Sequence, residues 1–240
     1  LRKGTIFSLP GKLEYEVAEK IVNLVPCAET VRFGKNGSDA TSAAIRIARA
    51  FTGRKIVAVC GYHGWQDWFI GSTNRNKGVP KEISDLTKTF TFNDLVSLNQ
   101  IFMSHPGNVA VVILEPMNST WPIENFLSEI RRMCSENGAI LVFDETITGF
   151  RFAKGGAQEL FNVIPDLTTL GKGLANGFPL SAVVGERKIM SEMSEIFFSG
   201  TFGGELLSLA AANEVLRMYQ QEDIVGQLTA AGELLNELTN

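Results

Sequence analysis

The chain has 240 residues, of which 45% are hydrophobic and 20% are charged. This composition favours a globular protein with a large buried core, in one big domain or two small ones. Its 22 basic and 26 acidic residues give a formal net charge of −4, which predicts no general attraction to nucleic acid or to an anionic membrane. The longest aliphatic run, at residues 109–114, is far shorter than the roughly 20 residues that span a bilayer, so we expect a soluble protein.

The spacing of cysteines and histidines argues against stabilisation by disulfides or by zinc. Cys27, Cys60 and Cys134 are widely separated and form no Cys-x-x-Cys pair, which favours a reducing compartment, and we expect a cytoplasmic location. His63 and His105 have no second His or Cys at ligand spacing, so no metal site is predicted. The chain starts without Met and ends in a helical pattern cut off in mid-course, and we therefore expect a fragment of a longer protein.

Hydrophobic periodicity predicts helices and strands that alternate along the chain. Helical patterns cover residues 13–25, 39–51, 126–137, 206–220 and a stretch near the end, and a short segment lies at 30–33. Apolar runs at 55–60, 109–114 and 139–143 predict buried strands, with weaker strand signals at 167–170 and 181–184. The alternation predicts an α/β domain built on a mainly parallel sheet.

Ligands of such sheets bind beyond the carboxyl ends of the strands, where loops and helix N-termini converge. Unusual residues occur at these positions, each following or ending a segment that resembles a strand. They are Gly37-Ser38, Tyr62-His63, Glu115, Asp144 and Lys172. The sequence therefore predicts a ligand site at this edge of the sheet.

The segment from Gly34 to Ser38 directly precedes a predicted helix. Flexible backbone, a hydroxyl group and free helical N–H groups together favour a phosphate. The alternative is an ordinary turn in which Ser38 caps the helix. No Gly-x-x-x-x-Gly-Lys-Ser/Thr motif is present, so a nucleotide P-loop is not predicted.

Asp144 closes the apolar run at residues 140–143. A carboxylate in such a place is costly unless it has a cationic partner. The N–H⁺ of a heteroaromatic ligand would serve as that partner, and the structural alternatives are an ion pair with Arg151 or a helix cap.

Lys172 lies in a turn between Gly171 and Gly173. A lysine held away from water loses its proton more easily and becomes a nucleophile that can form a Schiff base. The alternative is a surface lysine in a loop. Gly171-x-Gly173-x-x-x-Gly177 misses the dinucleotide-binding fingerprint by one position, and Pro179 interrupts the helix that this fingerprint requires.

Together these residues supply what pyridoxal phosphate (PLP) requires: a phosphate cradle, an aromatic side chain at Tyr62, a carboxylate for a pyridinium nitrogen and an imine-forming lysine. Five motifs in order then make a resemblance visible. The motifs are Asn36-Gly37-Ser38-Asp39-Ala40-Thr41, Gly61-Tyr62-His63-Gly64, Leu114-Glu115-Pro116, Phe143-Asp144-Glu145-Thr146-Ile147-Thr148-Gly149-Phe150-Arg151 and Leu170-Gly171-Lys172-Gly173. In them the chain resembles the class III aminotransferases, and within these the glutamate-1-semialdehyde aminomutase branch.

The resemblance implies PLP as cofactor and a three-layer α/β/α large domain of fold type I, with a mainly parallel seven-stranded sheet. It also implies a homodimer that acts on a small-molecule amino donor and a carbonyl acceptor. Residues 1–240 would form the PLP-binding large domain, without the N-terminal segment and the C-terminal small domain of the family. The alternatives are a PLP racemase or decarboxylase on the same scaffold, and a non-catalytic binding domain.

The resemblance also implies a role for each site residue. Lys172 would hold the cofactor covalently and shuttle protons, and Asp144 would bind the pyridine nitrogen. Gly37 and Ser38 would hold the phosphate. The remaining assignments are Tyr62 and Thr146 on the two ring faces, and Thr201 at the phosphate of the partner subunit's cofactor.

Two departures from the aminomutase pattern leave the substrate open. Asn118 is displaced relative to the Asn that usually follows the Glu-Pro motif, which leaves its cofactor contact open. Trp65 and Trp68 are bulkier than the residues found after Tyr-His-Gly in typical aminomutases. A different substrate is therefore compatible with the sequence.

Overall fold

Residues 4–239 are described in a computed structural model, and within them seven strands form one sheet. The strands are β1 (Thr30–Gly34), β2 (Ile56–Cys60), β3 (Thr87–Thr89), β4 (Val109–Leu114), β5 (Ile140–Glu145), β6 (Leu167–Leu170) and β7 (Ser181–Gly185). Their order across the sheet is β1-β7-β6-β5-β4-β2-β3. Only β7 opposes its neighbours, β1 and β6, while the other pairs are parallel. The predicted α/β fold with a mainly parallel seven-stranded sheet is confirmed.

The longer helices agree with the sequence periodicity, with one exception. The helices are α1 (Lys12–Leu24), α2 (Gly37–Thr52), α3 (Asp67–Ile70), α4 (Lys81–Ser84), α5 (Leu95–Ser104), α6 (Phe126–Asn137), α7 (Ala157–Leu160), α8 (Arg187–Met190), α9 (Leu206–Gln221) and α10 (Ile224–Thr239). The sequence analysis missed α5 and the strand β3. β3 reads Thr-Lys-Thr and pairs only with β2 at the sheet edge, so it lacks the apolar run that marks the buried strands.

Helices cover both faces of the sheet. Neighbouring residues of a strand point to opposite sides, so each buried strand packs against helices on both faces. In β4, Val111 and Ile113 pack with residues of α2, whereas Val112 and Leu114 pack with α5 and α6. Helices α1 and α9 pack on the same face as α5 and α6, against β1, β6 and β7. The result is the three-layer α/β/α arrangement that the family resemblance implied.

The sheet brings its functional residues to one edge. The loops that follow β1, β2, β4, β5 and β6 all leave from the carboxyl ends of strands that run in one direction. No helix among residues 4–239 combines the length and apolar character needed to cross a membrane.

Candidate active site

The first wall of the site is the turn that enters α2. Asn36 caps this helix by accepting a hydrogen bond from the backbone of Asp39, whose carboxylate in turn accepts one from the backbone of Asn36. Ser38 is therefore not the capping residue, and that alternative is wrong. The hydroxyl group of Ser38 is buried in the first turn, where backbone N–H groups have no helical partner and favour an anion.

The loop after β2 forms the second wall. Its Gly64 has φ of +104°, and a Cβ atom there would collide with the hydroxyl group of Ser38. This close approach lets the backbone N–H of Trp65 donate to Ser38 Oγ at 3.2 Å. Tyr62 is 64% exposed, and its backbone N–H donates to Glu115 Oε1 at 2.8 Å. The loop thus holds the Tyr62 ring at the opening of the site.

Asp144 lies at the end of β5 and is buried. Its Oδ1 accepts hydrogen bonds from the backbone N–H of Thr146 (3.1 Å), from Thr146 Oγ1 (2.6 Å) and from Thr169 Oγ1 (2.8 Å). Its Oδ2 lies 2.8 Å from His63 Nδ1. The predicted alternative of an ion pair with Arg151 is wrong, because the ionisable side chain in contact with Asp144 is that of His63.

The electrostatics of Asp144 favour the carboxylate form. Burial by itself would raise the pKa of Asp144. The hydrogen bond and electrostatic interaction with His63, with the hydrogen bonds of Thr146 and Thr169, outweigh burial and hold the pKa of Asp144 below its usual value. Asp144 therefore presents a negative charge to a ligand in the site.

Lys172 begins the short 3₁₀ turn that follows β6. Its φ of +34° lies in the left-handed region, where a residue other than glycine stores about 1–3 kcal/mol of strain. Contrary to the expectation of a lysine kept away from water, its side chain is exposed in this chain. The preceding Gly171 leaves room for Thr146, since a Cβ atom on Gly171 would lie 3.1 Å from Thr146 Cγ2.

One cavity of about 360 Å³ joins these walls, a size within the range of roughly 300–1,000 Å³ that small-molecule sites have. Six of the seven predicted site residues line it. They are Gly37, Ser38, Tyr62, Asp144, Thr146 and Lys172. The seventh, Thr201, is exposed in the turn before α9 and does not line the cavity.

His63 and Glu115 also line the cavity, and the sequence analysis gave neither of them a role. Both residues follow predicted strands, and this position is the feature of the sequence that could have identified them as site residues. Their partners could not be predicted, because Glu115 binds the backbone of Tyr62 and His63 contacts Asp144 across the sheet.

The residues that depart from the aminomutase pattern, Asn118, Trp65 and Trp68, do not line the cavity. Asn118 is exposed and accepts a hydrogen bond from the backbone N–H of Thr120 at 3.0 Å. Trp65 is exposed. Trp68 is half-buried and donates from Nε1 to Ser42 Oγ at 2.9 Å.

Comparison with known proteins places the chain in a family. The sequence model described as "Aminotransferase class-III" matches residues 4–239. The glutamate-1-semialdehyde 2,1-aminomutase of Francisella philomiragia is 40% identical over 98% of the chain, and that of Francisella tularensis subsp. tularensis (strain WY96-3418) is 37% identical over the same share. The chain spans 58% and 59% of the lengths of these two relatives.

Solved structures give the same result. The FumI protein of Sphingopyxis sp. MTA144, in its PLP internal aldimine form, superposes with a TM-score of 0.92 and 33% identity, covering 98% of the chain and 58% of FumI. An omega-transaminase from Sphaerobacter thermophilus superposes with a TM-score of 0.82 and 30% identity, covering 90% of the chain and 55% of the transaminase. The chain belongs to the class III aminotransferase family.

Proposed function

We propose that the chain is the PLP-binding large domain of an enzyme that transfers an amino group. The substrate would be an amino acid, an amino aldehyde or a related small carbonyl compound. One observation carries this proposal: Asp144, buried and negatively charged, and Lys172 face the same cavity at the N-terminus of α2. The similar proteins named as aminomutases and transaminases support the same class of reaction.

The chemical groups of the cavity fit PLP: a carboxylate, an amine and a helix N-terminus line it together. Gly37 passes close to Thr146, because a Cβ atom on Gly37 would lie 3.3 Å from Thr146 Cγ2. Backbone N–H groups at Gly37 and Ser38 would hold the phosphate. Tyr62 and Thr146 would contact the two faces of the ring, and Asp144 would accept the hydrogen bond of the protonated ring nitrogen.

When bound, PLP supplies a carbonyl carbon that condenses with amines and a ring that accepts electrons. Lys172 Nζ would hold the cofactor until a substrate amine displaces it. The freed amine of Lys172 would then move a proton at the substrate carbon. Asp144 Oδ2 would keep the ring nitrogen protonated while negative charge develops.

The central test is the covalent attachment of PLP to Lys172. Protein incubated with PLP and treated with borohydride should carry the reduced cofactor on the peptide that contains Lys172, as measured by mass spectrometry. Lys172→Ala should lose this adduct, whereas Lys188→Ala, a change at an exposed lysine on α8, should keep it. A reducible adduct of normal yield in Lys172→Ala would show that another lysine anchors the cofactor.

A second experiment separates amino transfer from racemisation or decarboxylation. Addition of an amino donor should convert the bound cofactor to its pyridoxamine form and release a carbonyl product in equal amount. A racemase would instead interconvert the enantiomers of the donor, and a decarboxylase would release carbon dioxide. Either of these results without a carbonyl product would exclude an aminotransferase.

We also propose that the protein acts in the cytoplasm as a homodimer. Thr201 lies in an exposed glycine-rich turn and has no place in the cavity of its own chain. The resemblance to class III aminotransferases assigns Thr201 to the phosphate of the cofactor in the partner subunit, and a position outside its own cavity is compatible with that role. Each site would then need two chains, and the interface should be extensive with an apolar core.

Mixing two defective subunits tests this assignment. Thr201→Ala and Lys172→Ala impair different sites if Thr201 acts across the interface, so one site of a mixed dimer carries both changes and the other carries neither. Mixed dimers should then regain activity in the intact site. Activity no higher than that of Thr201→Ala alone, in mixed dimers shown to form, would mean that Thr201 serves its own chain.

A further inference from the structure

His63 lines the cavity and lies between two hydrogen-bond acceptors. Its Nε2 is 3.0 Å from the backbone oxygen of Cys60, and its Nδ1 is 2.8 Å from Asp144 Oδ2. The residue is 1% exposed, so water does not compete for either nitrogen. A carbonyl oxygen can only accept, and therefore Nε2 must carry a proton.

The proton between Nδ1 and Asp144 Oδ2 has two possible places. On Nδ1 it gives a carboxylate beside an imidazolium, and on Oδ2 it gives a carboxylic acid beside a neutral imidazole. Three donors converge on Oδ1 of Asp144, from Thr146 and Thr169. They stabilise negative charge on that oxygen and so favour the first arrangement.

The acceptor sites of Asp144 can then be counted. A carboxylate has about four acceptor sites, two on each oxygen. The three donors saturate Oδ1, and His63 takes one site of Oδ2. One acceptor site remains, on Oδ2 of a residue that lines the cavity.

Aromatic packing and a backbone hydrogen bond hold His63 in place. Its backbone oxygen accepts a hydrogen bond from Thr41 Oγ1 at 2.8 Å. The indole ring of Trp68 lies nearly parallel to the imidazole, with centroids 6.5 Å apart, and the ring of Phe69 lies edge-on at 5.4 Å. A rotation of His63 that broke the contact with Asp144 would disturb this packing.

We propose that His63 is a positioning residue that carries protons on both ring nitrogens, and thereby holds Asp144 as a carboxylate with one free acceptor site toward the cavity. The use of that site for the nitrogen of a protonated cofactor ring rests on the proposed function. The proton arrangement itself does not, because it is built from groups of this chain alone.

Other titratable groups lie near the pair. Glu115, Tyr62, Lys35 and Lys172 line the same cavity. Burial, followed by the charge of Glu115, raises the pKa of the Cys60 thiol to about 12, so that group adds no charge. Among the described residues, His63 is the one ionisable side chain that pairs with Asp144.

The consequence concerns how strongly Asp144 attracts a proton. A neighbouring positive charge makes a carboxylate a weaker base. Asp144 can then accept a hydrogen bond from a ring N–H⁺ without removing its proton. The neutral arrangement could not do this, since a carboxylic acid that donates to Nδ1 offers no negative charge to the ring nitrogen.

Nuclear magnetic resonance of the cofactor-free chain, labelled with ¹⁵N-histidine, tests the proton arrangement directly. His63→Asn and His105→Asn assign the two histidine side chains of the sequence. We expect both ring nitrogens of His63 to show bound protons at neutral pH. An unprotonated Nδ1 would overturn the proposal, and failure of PLP to bind with both protons present would remove only the proposed function.

A matched variant tests the consequence. His63→Asn places an amide donor near the position of Nδ1 and removes the charge. We expect kcat to fall about 10–100-fold, the effect seen when the hydrogen-bonded partner of a metal ligand is removed, while KM and PLP affinity change about threefold or less. Unchanged kcat in a folded His63→Asn protein would show that the charge of His63 is not needed, and equal losses of kcat and PLP affinity would indicate a purely structural role.

Discussion

Two adjacent carboxylates at the end of β5 have opposite environments. Asp144 points toward α2 and the cavity, has a cationic partner in His63 and keeps one acceptor site free. Glu145 points to the other face, where Thr148, Ala157 and Gln158 supply four hydrogen bonds to its two oxygens. The comparison shows that burial alone does not make a carboxylate functional, because Glu145 is as buried as Asp144 but has no acceptor site to offer.

The pKa values of the two residues differ in direction for this reason. Burial raises the pKa of Glu145, and the neutral donors around it only partly offset that effect. Burial has the same effect on Asp144, but the hydrogen bond and charge of His63, with the hydrogen bonds of Thr146 and Thr169, reverse the direction. With His63 as its partner, Asp144 can stabilise a ligand, whereas Glu145 lacks such a partner and holds a loop.

The largest expected effect separates the two residues by activity. Asp144→Asn removes the negative charge that faces the cavity, and we expect kcat to fall about 10²–10³-fold, as for the loss of one preorganised electrostatic group. PLP should still bind, because Lys172 and the phosphate cradle are unchanged. Glu145→Gln is the matched control and should keep the kcat of its folded fraction. Near-normal transamination by Asp144→Asn would remove the role of Asp144 at the ring nitrogen.

The next effect separates the two residues by stability. Glu145→Gln replaces one acceptor oxygen by an amide that cannot accept the hydrogen bonds now made to it. Each oxygen of Glu145 accepts two hydrogen bonds, so two donors lose their acceptor. A buried donor left without a partner costs about 1–3 kcal/mol, and we expect the free energy of unfolding to fall by at least that amount. Denaturant titration measures the change. A Glu145→Gln protein of unchanged stability would mean that these hydrogen bonds contribute little to the fold.

The pH dependence of stability should have opposite signs for the two carboxylates. Folding raises the pKa of Glu145 above 4.5, so its contribution to stability is fully present below 4.5 and is lost as pH rises through the folded-state pKa. Folding lowers the pKa of Asp144 below 3.8, so its contribution is present above 3.8 and is lost as pH falls through the folded-state pKa.

Measurement of unfolding against pH can resolve these signs. The stability advantage of wild type over Glu145→Gln should shrink as pH is raised from 4.5, and its advantage over Asp144→Asn should shrink as pH is lowered below 3.8. The same sign of slope for both variants would contradict the distinction between the two sites.

The sequence predicted Asp144 better than it predicted the partner of Asp144. A carboxylate at the end of the apolar run 140–143 is detectable from local pattern alone. Its contact with His63 joins positions 81 residues apart, on β5 and in the loop after β2. That contact depends on the order of strands in the sheet, which local periodicity does not specify.

The helix start shows a different limit. Asn36 and Ser38 are both favoured capping residues, and the sequence interpretation chose the second. The spacing of Asn36 and Asp39 is that of a capping box, with an acidic side chain in place of the usual Glu or Gln. This spacing could have identified Asn36. The exposure of Lys172 could not be predicted, because it depends on how the turn after β6 faces the open cavity.

The smallest expected effect comes from two neighbouring threonines in β6. Thr169 donates to Asp144 Oδ1 at 2.8 Å, whereas Thr168 lies on the other face, accepts from Gln158 Nε2 at 3.0 Å and contacts Cys27 Sγ at 3.2 Å. Valine has nearly the shape of threonine without the hydroxyl group. Each change to Val removes a buried hydrogen-bonding group, and we expect about 1 kcal/mol of lost stability in both.

Activity should distinguish the two variants although stability does not. Thr169→Val removes one of the groups that lower the pKa of Asp144, so Asp144 becomes a stronger base and kcat and its pH profile should change. Thr168→Val changes only the network on the side of Glu145 and should leave the pH profile of kcat unaltered. A shifted profile in Thr168→Val of the same size as in Thr169→Val would mean that the two faces of β5 are coupled. In that case groups on the Glu145 face of the sheet would also influence the pKa of Asp144. The environments of the two carboxylates would then differ only in the strength of the same interactions.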